Sequence, residues 1–227
     1  FSNFHIKFRH LANLKHPMHK VLKEINKDSC PHKVNLHCHT NHSDGSLSPT
    51  DLYKQANDLG IKDLAITDHH SISAYIEIQN YIETNCKVKF TTKLWSGIEI
   101  SAIVNGCLVH ILGYGFDVSS KWLEPYATGD SVKGSLLNAS SVIYALKKSN
   151  GFSFLAHPAR YRLPFSLLIK EAKSIGFDGV ETWYDYDRSF EWKPTKYTCD
   201  QIYNQIKQYN LLSSCGTDTH GISLLKR

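Results

Sequence analysis

His37 and His39 alternate with Leu36 and Cys38, and a period of two places both imidazoles on one face of an extended strand. That is chelate spacing for a metal ion, although an isolated His-x-His pair is more often a packed or surface pair. The pair has company. Asp44 follows in His39-Thr-Asn-His-Ser-Asp44-Gly45, and Asp68-His69 closes the apolar run Leu64-Ala-Ile-Thr67. Glu99 ends Trp95-Ser-Gly-Ile-Glu99, and His110 sits within Leu108-Val-His-Ile-Leu112. His157 follows Phe152-Ser-Phe-Leu-Ala156, and Asp218 and His220 end Cys215-Gly-Thr-Asp-Thr-His220. If these groups were unrelated, each would need its own hydrogen-bond partners to be buried at the end of an apolar strand. One multinuclear metal site is the simpler reading. Nitrogen and carboxylate donors without cysteine suit Zn²⁺, Mn²⁺ or Fe²⁺ and do not select among them. Adjacent divalent ions acidify a shared water and neutralise phosphate oxygens, which favours phosphate ester hydrolysis over redox chemistry.

The elements that must gather these groups are short. From Val34 onward, β-branched runs alternate with segments of helical period, the pattern of βα units and a mostly parallel sheet. Strands are expected at 34–39, 63–67, 94–100, 107–113, 152–156, 179–183 and 211–216. The first helix is marked by Ser48 as N-cap, Pro49 at its first position, Asp51 as the capping-box acid and Gly60 as its stop. Further helices are expected near 72–84, 138–149, 164–175 and 197–209, with 117–137 as the longest loop. In parallel βα folds, loops from different strands converge at the carboxyl edge, so distant residues meet around one ligand. Periodicity alone leaves an open doubly wound sheet and a small barrel equally possible. No glycine-rich phosphate loop follows any strand, which argues against a dinucleotide or nucleoside triphosphate fold.

With 227 residues, 41% hydrophobic and 21% charged, the chain falls in the ordinary globular range and can bury a sizeable core. Its longest apolar stretches fall well short of a membrane span. The first nine residues have no apolar block or cleavage site of a secretory signal, although a chain that begins at Phe1 is expected to have lost its natural start. Six cysteines without a CxxC pair read as reduced thiols in a cytoplasmic protein. Cys38 and Cys107 are expected to face the core. The net charge of +5 lies entirely in residues 1–33, which hold seven Lys/Arg against Glu24 and Asp28. This basic N-terminal extension reads first as an amphipathic helix packed on the domain, and second as a contact for RNA or an anionic surface. Residues 34–227 form the remaining domain.

The motifs together resemble the PHP (polymerase and histidinol phosphatase) metallophosphoesterases over roughly residues 34–221. They are His37-Cys-His39 with Ser43-Asp44-Gly45, Ile66-Thr-Asp-His69, Gly97-Ile-Glu99, His110, Ala156-His-Pro-Ala-Arg160-Tyr161 and Gly216-Thr-Asp-Thr-His-Gly221. The Ser-Asp-Gly and His-Pro-x-Arg-Tyr pieces look most like the TrpH-like branch. Its characterised members remove phosphate from nucleoside 3′,5′-bisphosphates or trim short RNA from the 5′ end. The resemblance implies an α/β distorted (β/α)7 barrel with a trinuclear metal site at the C-terminal ends of its strands. It implies that His37, His39, Glu99 and Asp218 hold one ion, that Glu99 bridges to a second held by His110 and His157, and that Asp44, His69 and His220 hold a third. It further implies attack by a metal-bridging hydroxide on a phosphomonoester of a small phosphorylated substrate, a nucleotide or short RNA.

Arg160 is expected to grip a phosphate through its forked donors, with Tyr161 or Arg162 assisting, against the alternative of a salt bridge at the barrel rim. Asp68 is expected to act in the site by orienting a neighbouring ligand. His70 is read as a donor behind a metal ligand, a proton shuttle or an exposed residue, and His42 is undecided. Trp183, Tyr184 and Tyr186 are candidates to stack on a base, weighed against core packing. Only 46 residues separate His110 from His157, which leaves little of the helical cap common in TrpH-like proteins. The chain stops seven residues after His220, so a last helix is expected to be missing or supplied differently. Two other functions compete: an amidohydrolase-type metallohydrolase acting on C–N bonds, and a non-catalytic PHP module that binds nucleic acid.

Overall fold

A computed structural model describes residues 16–227. The part of the basic extension before His16 lies outside the described residues. Helix α1 (Pro17–Glu24) is capped by His16, whose Nδ1 accepts the N–H of Met18 at 3.2 Å, and it buries Met18 and Leu22. Those two side chains join Leu36, Tyr114, Phe152 and Trp183 in one core cluster. Full burial of an aliphatic side chain of this size contributes about 1.5–3 kcal/mol.

Two sheets carry the fold. In the first, β1 (Val34–Asn35), β2 (Asp63–Ala65) and β3 (Lys93–Trp95) are parallel. In the second, β4 (Gly97–Val104) and β5 (Cys107–Tyr114) form an antiparallel hairpin, and β6 (Phe152–Leu155) pairs antiparallel with β5. Strands β7 (Gly179–Trp183) and β8 (Leu212–Cys215) then follow β6 in parallel. The connecting helices are α2 (Pro49–Asp58), α3 (Ser73–Thr84), α4 (Ala139–Lys148), α5 (Phe165–Ile175) and α6 (Lys196–Gln208). Helix α2 starts as its residues predict: Ser48 Oγ accepts the N–H of Asp51 at 3.2 Å, and Pro49 occupies the first turn. None of the described helices is long and apolar enough to cross a membrane.

The structure corrects the sequence reading in two ways. Strand 94–100 divides at Ser96 into β3 and β4, and the second part runs on to Val104, so there are eight strands among the described residues, and β4, β5 and β6 are antiparallel neighbours. The cause is the dipeptide Asn105-Gly106, with φ of 48° and 69°. Positive φ at both central residues matches the twist of a two-residue hairpin, for which Asn-Gly is a preferred pair. The second correction is that the ladder does not run around a closed (β/α)7 barrel. The two sheets meet through the isolated bridges Cys38–Thr219 and His69–Glu99. His70, His157 and Asp218 adopt φ of 51°, 25° and 52° just beyond β2, β6 and β8. Left-handed backbone at these non-glycine residues takes the chain out of strand geometry where the candidate site begins.

The core matches the expected burial of thiols. All six cysteines are free, and all but Cys86 are buried, including Cys38 and Cys107.

Candidate metal centre

Local structure aims the donors before any tertiary contact does. Beyond β1 the chain remains extended between its neighbours, with Leu36 N–H donating to Cys215 O at 3.0 Å and His39 N–H to Thr219 O at 3.0 Å. His37 and His39 therefore share a face, as their alternation predicts, and both rings are fully buried. The approach of β1 to the end of β8 requires glycine at 216: a Cβ there would lie 2.2 Å from His37 Cβ and 2.4 Å from its backbone nitrogen.

The nine predicted donors come from both sheets and are brought together. His37 Nε2 lies 3.1 Å from Glu99 Oε2 and 3.2 Å from Asp218 Oδ1, and His39 Nε2 lies 3.1 and 3.3 Å from the same two oxygens. His110 Nδ1 and His157 Nε2 approach the other Glu99 oxygen at 2.8 and 3.5 Å. His220 Nε2 and His69 Nε2 lie 3.2 and 3.7 Å from Asp44 Oδ2, and His69 Nδ1 lies 3.6 Å from Glu99 Oε2. These donors form three overlapping groups: His37, His39, Glu99 and Asp218; His69, Glu99 and His110; and His39, Asp44, His69 and His220.

The residues fit divalent cations by a test of their own. His39 Nε2 and Glu99 Oε1 are buried without any hydrogen bond of acceptable geometry, although nitrogen and oxygen neighbours are close by. Lone pairs that converge on a common space while failing to bond one another are what a cation between them satisfies. Charge points the same way. Burial opposes ionisation of Glu99, yet His37 and His110 hold it well below the usual carboxylate range. Asp218 is likewise depressed against its burial by His37 and His39. Burial disfavours a charged His39 as well, but Asp218 and Glu99 raise its pKa to about 9. His69 is pushed down to about 4, chiefly by burial, and so keeps a neutral imidazole at physiological pH. The two buried carboxylates thus demand positive charge, which cations supply as well as protons do.

Some predicted residues sit elsewhere. Asp68 faces none of the donors: its carboxylate accepts from Thr40 N–H at 2.6 Å, Thr40 Oγ1 at 2.5 Å and Ser43 Oγ at 2.7 Å. These bonds tie it to the turn between His39 and Asp44, and it does not line the cleft. Of the two residues expected to assist Arg160 on a phosphate, neither lines the cleft: Tyr161 OH accepts the backbone N–H of His110 at 2.8 Å, and Arg162 bonds to Gly106 O at the hairpin turn. His70 is buried, its Nε2 accepting from Ser101 N–H at 3.1 Å, and His42 pairs with Glu77 at 2.8 Å. The proposed stacking aromatics point inward: Trp183 and Tyr184 are buried, and Tyr186 OH accepts from Ala159 N–H. Trp183 and Tyr184 are thus core residues, and Tyr186 packs half-buried beside them.

Arg160 lines the cleft and donates through Nη1 to Asp218 Oδ2 and to Tyr184 OH, both at 3.0 Å. The cleft holds about 470 Å³ and is lined by Asp44, His69, Glu99, His110, His157, Asp218 and His220, with three arginines, Arg160, Arg188 and Arg227. Arg188 and Arg227 carry no spacing signal and were not predictable. Glu181 was also missed. Its Oε1 lies 2.9 Å from His37 Nδ1, and Oε2 accepts the backbone N–H of His157 at 2.8 Å. A signal existed: a lone acid in the buried strand Gly179–Trp183 must have partners. A register shift between Glu181 and Trp183 re-aims the strand at this point.

The model of the PHP domain family matches residues 35–157. A 5′-3′ exoribonuclease of Haemophilus influenzae is 38% identical over 85 residues, which are 37% of this chain and 29% of that protein. The match thus spans less than a third of that relative's length. Among solved structures, a candidate metal-dependent phosphoesterase of Bifidobacterium adolescentis superposes with a TM-score of 0.67 at 18% identity, covering 87% of this chain and 91% of the other. An amidohydrolase of Chromobacterium violaceum superposes with a TM-score of 0.68 at 17% identity, covering 83% and 88%. At such identity these two establish likeness of fold.

Proposed function

The chain belongs to the PHP domain family of metal-dependent phosphoesterases and is a hydrolase, and from that premise we propose that it cleaves a phosphoester of a nucleotidic substrate, at the 5′ end of short RNA or in a nucleoside 3′,5′-bisphosphate. This is the reaction of the TrpH-like branch, which the Ser-Asp-Gly and His-Pro-x-Arg-Tyr motifs resemble. The exoribonuclease name of the Haemophilus relative supports the nucleotidic part.

One observation carries the reading: a cleft in which buried, converging His and carboxylate donors stand beside three arginines. His37, His39, Glu99 and Asp218 would hold one ion; Glu99, His110 and His157 a second; and Asp44, His69 and His220 a third. Bound Mn²⁺, Zn²⁺ or Fe²⁺ supplies an acidified water and neutralises charge on phosphate oxygens. The chain's own residues do the rest. Glu181 fixes His37 by engaging Nδ1, which leaves Nε2 toward Glu99 and Asp218. Asp68 holds the turn that carries Asp44. Arg160 presents a guanidinium of which only Nη1 is engaged among the described residues, and its remaining donors orient a phosphate. Tyr184 donates to Asp218 Oδ2 at 2.5 Å, and burial together with that carboxylate pushes its phenol up, so it remains a donor.

The test is release of phosphate from nucleoside bisphosphates, mononucleotides, sugar phosphates and histidinol phosphate, and of 5′-mononucleotide from 5′-phosphorylated RNA, each with Mn²⁺, Zn²⁺ and Fe²⁺. Turnover of the nucleotidic substrates is expected. Activity confined to amides or lactones in a parallel panel would replace this reading with amidohydrolase chemistry.

A further inference from the structure

A second cavity of about 480 Å³ lies between α4 and the segment that precedes it. Trp122, Tyr126, Leu136 and Tyr144 supply its apolar surface, and Lys121 stands at its edge. Trp122 and Tyr144 are 40% and 44% exposed and meet edge to face, with ring centres 5.5 Å apart. Lys148 Nζ lies 5.7 Å from the Trp122 ring and 5.4 Å from that of Tyr144, and Lys121 Nζ lies 5.8 Å from Trp122. No carboxylate lines the cavity. Among the described residues, neither lysine is ion-paired with an acid.

Exposed aromatic rings flanked by ammonium groups match the two demands of a single-stranded nucleic acid, a flat apolar face for each base and positive charge for the backbone. The same segment is tied to the backbone one residue beyond a candidate metal donor, because Gly129 N–H donates to the carbonyl of His70, next to His69, at 2.8 Å. We propose that Trp122, Tyr144, Lys121 and Lys148 form a platform that binds single-stranded RNA, holding nucleotides of the substrate that lie outside the catalytic cleft. The proposal rests on the nucleotidic reading above and narrows it toward oligonucleotides. Charge complementarity selects this occupant over an apolar protein face or a second copy of the chain.

The experiment measures anisotropy of a 3′-fluorescein-labelled oligoadenylate with the whole chain in EDTA, which prevents hydrolysis, alongside sedimentation and Mn²⁺-dependent phosphate release from a mononucleotide. The oligonucleotide is expected to bind with an affinity that falls as salt rises. Trp122→Ala and the double variant Lys121→Ala/Lys148→Ala should each weaken it roughly tenfold or more, while Trp122→Phe retains most of it. Mononucleotide turnover should be unchanged in all three. Oligonucleotide affinity that is absent from the wild type, or indifferent to Trp122→Ala, overturns the platform. So does a wild-type dimer that Trp122→Ala converts to monomer without loss of RNA affinity, which would mark the face as an interface between copies. RNA binding through Trp122 without release of phosphate or mononucleotide from any nucleotidic substrate would sink the nucleotidic reading of the catalytic cleft and leave the platform standing.

Discussion

Glu181 Oε1 lies 2.9 Å from Nδ1 of His37, and both side chains are fully buried. A single carboxylate on β7 thereby orients an imidazole on the opposite sheet, and its second oxygen holds the backbone of His157. Removing an outer partner of this kind typically lowers metal affinity 10- to 100-fold. Glu181→Gln keeps the volume and loses the charge, so its affinity for Mn²⁺ or Zn²⁺ should fall within about that range. Competition with a chromogenic chelator measures the change, and unaltered affinity would refute the orienting role.

His37→Ala and Asp218→Asn remove donors shared by the most buried group of ligands. Both should abolish phosphate release while the far-ultraviolet circular dichroism remains that of the wild type. Full turnover in either variant contradicts the placement of the ions.

Arg160→Lys retains the charge but not the planar fork. A lost hydrogen bond to a charged partner costs about 1.5–3 kcal/mol, so kcat/KM should fall roughly tenfold to a hundredfold or somewhat more. The steady-state parameters for a nucleotide test this; a wild-type kcat/KM would reduce Arg160 to its salt bridge with Asp218.

Gly216→Ala places a methyl group 2.2 Å from His37 Cβ, where backbone on both sides prevents easy relaxation. Overpacking of this kind costs about 1–3 kcal/mol. Thermal denaturation should show a lower midpoint, and metal affinity should fall with it as β1 is pushed off β8. A variant matching the wild type in both would show that the close approach is dispensable.

Thiol chemistry reports on the fold independently of activity. Cys86 is exposed and the other five cysteines are buried; burial pushes the Cys199 thiol up to about 12. A disulfide reagent at pH 8 should titrate one thiol promptly in the native protein and six after denaturation. Two or more fast-reacting thiols would count against the packing around β1, β5 and β8.

Local chemistry made much of this molecule legible. Ser48, Pro49 and Asp51 mark the start of α2 because capping is settled within one turn. The alternation of His37 and His39 defines their common face because strand periodicity is a property of the backbone. The hairpin between β4 and β5 was also written in Asn105-Gly106, but reading strands from apolar runs alone ended β4 at 100 and passed over the turn. Trp183, Tyr184 and Tyr186 left core packing and base stacking to be decided by the fold, since an aromatic cluster carries no local mark of which way its rings face.

The chain alone, then, names the donor types and the strands that carry them, because side-chain chemistry and backbone period are local. Where the ladder stops, which oxygen of Glu99 each imidazole approaches, that Glu181 backs His37, and that Arg188 and Arg227 join the cleft depend on contacts between residues as far apart as His37 and Asp218. Those contacts arise from the packing of two sheets, and no window of sequence contains them. The same packing turns Asp68 toward Thr40 and Ser43 and leaves Trp122 and Tyr144 facing solvent.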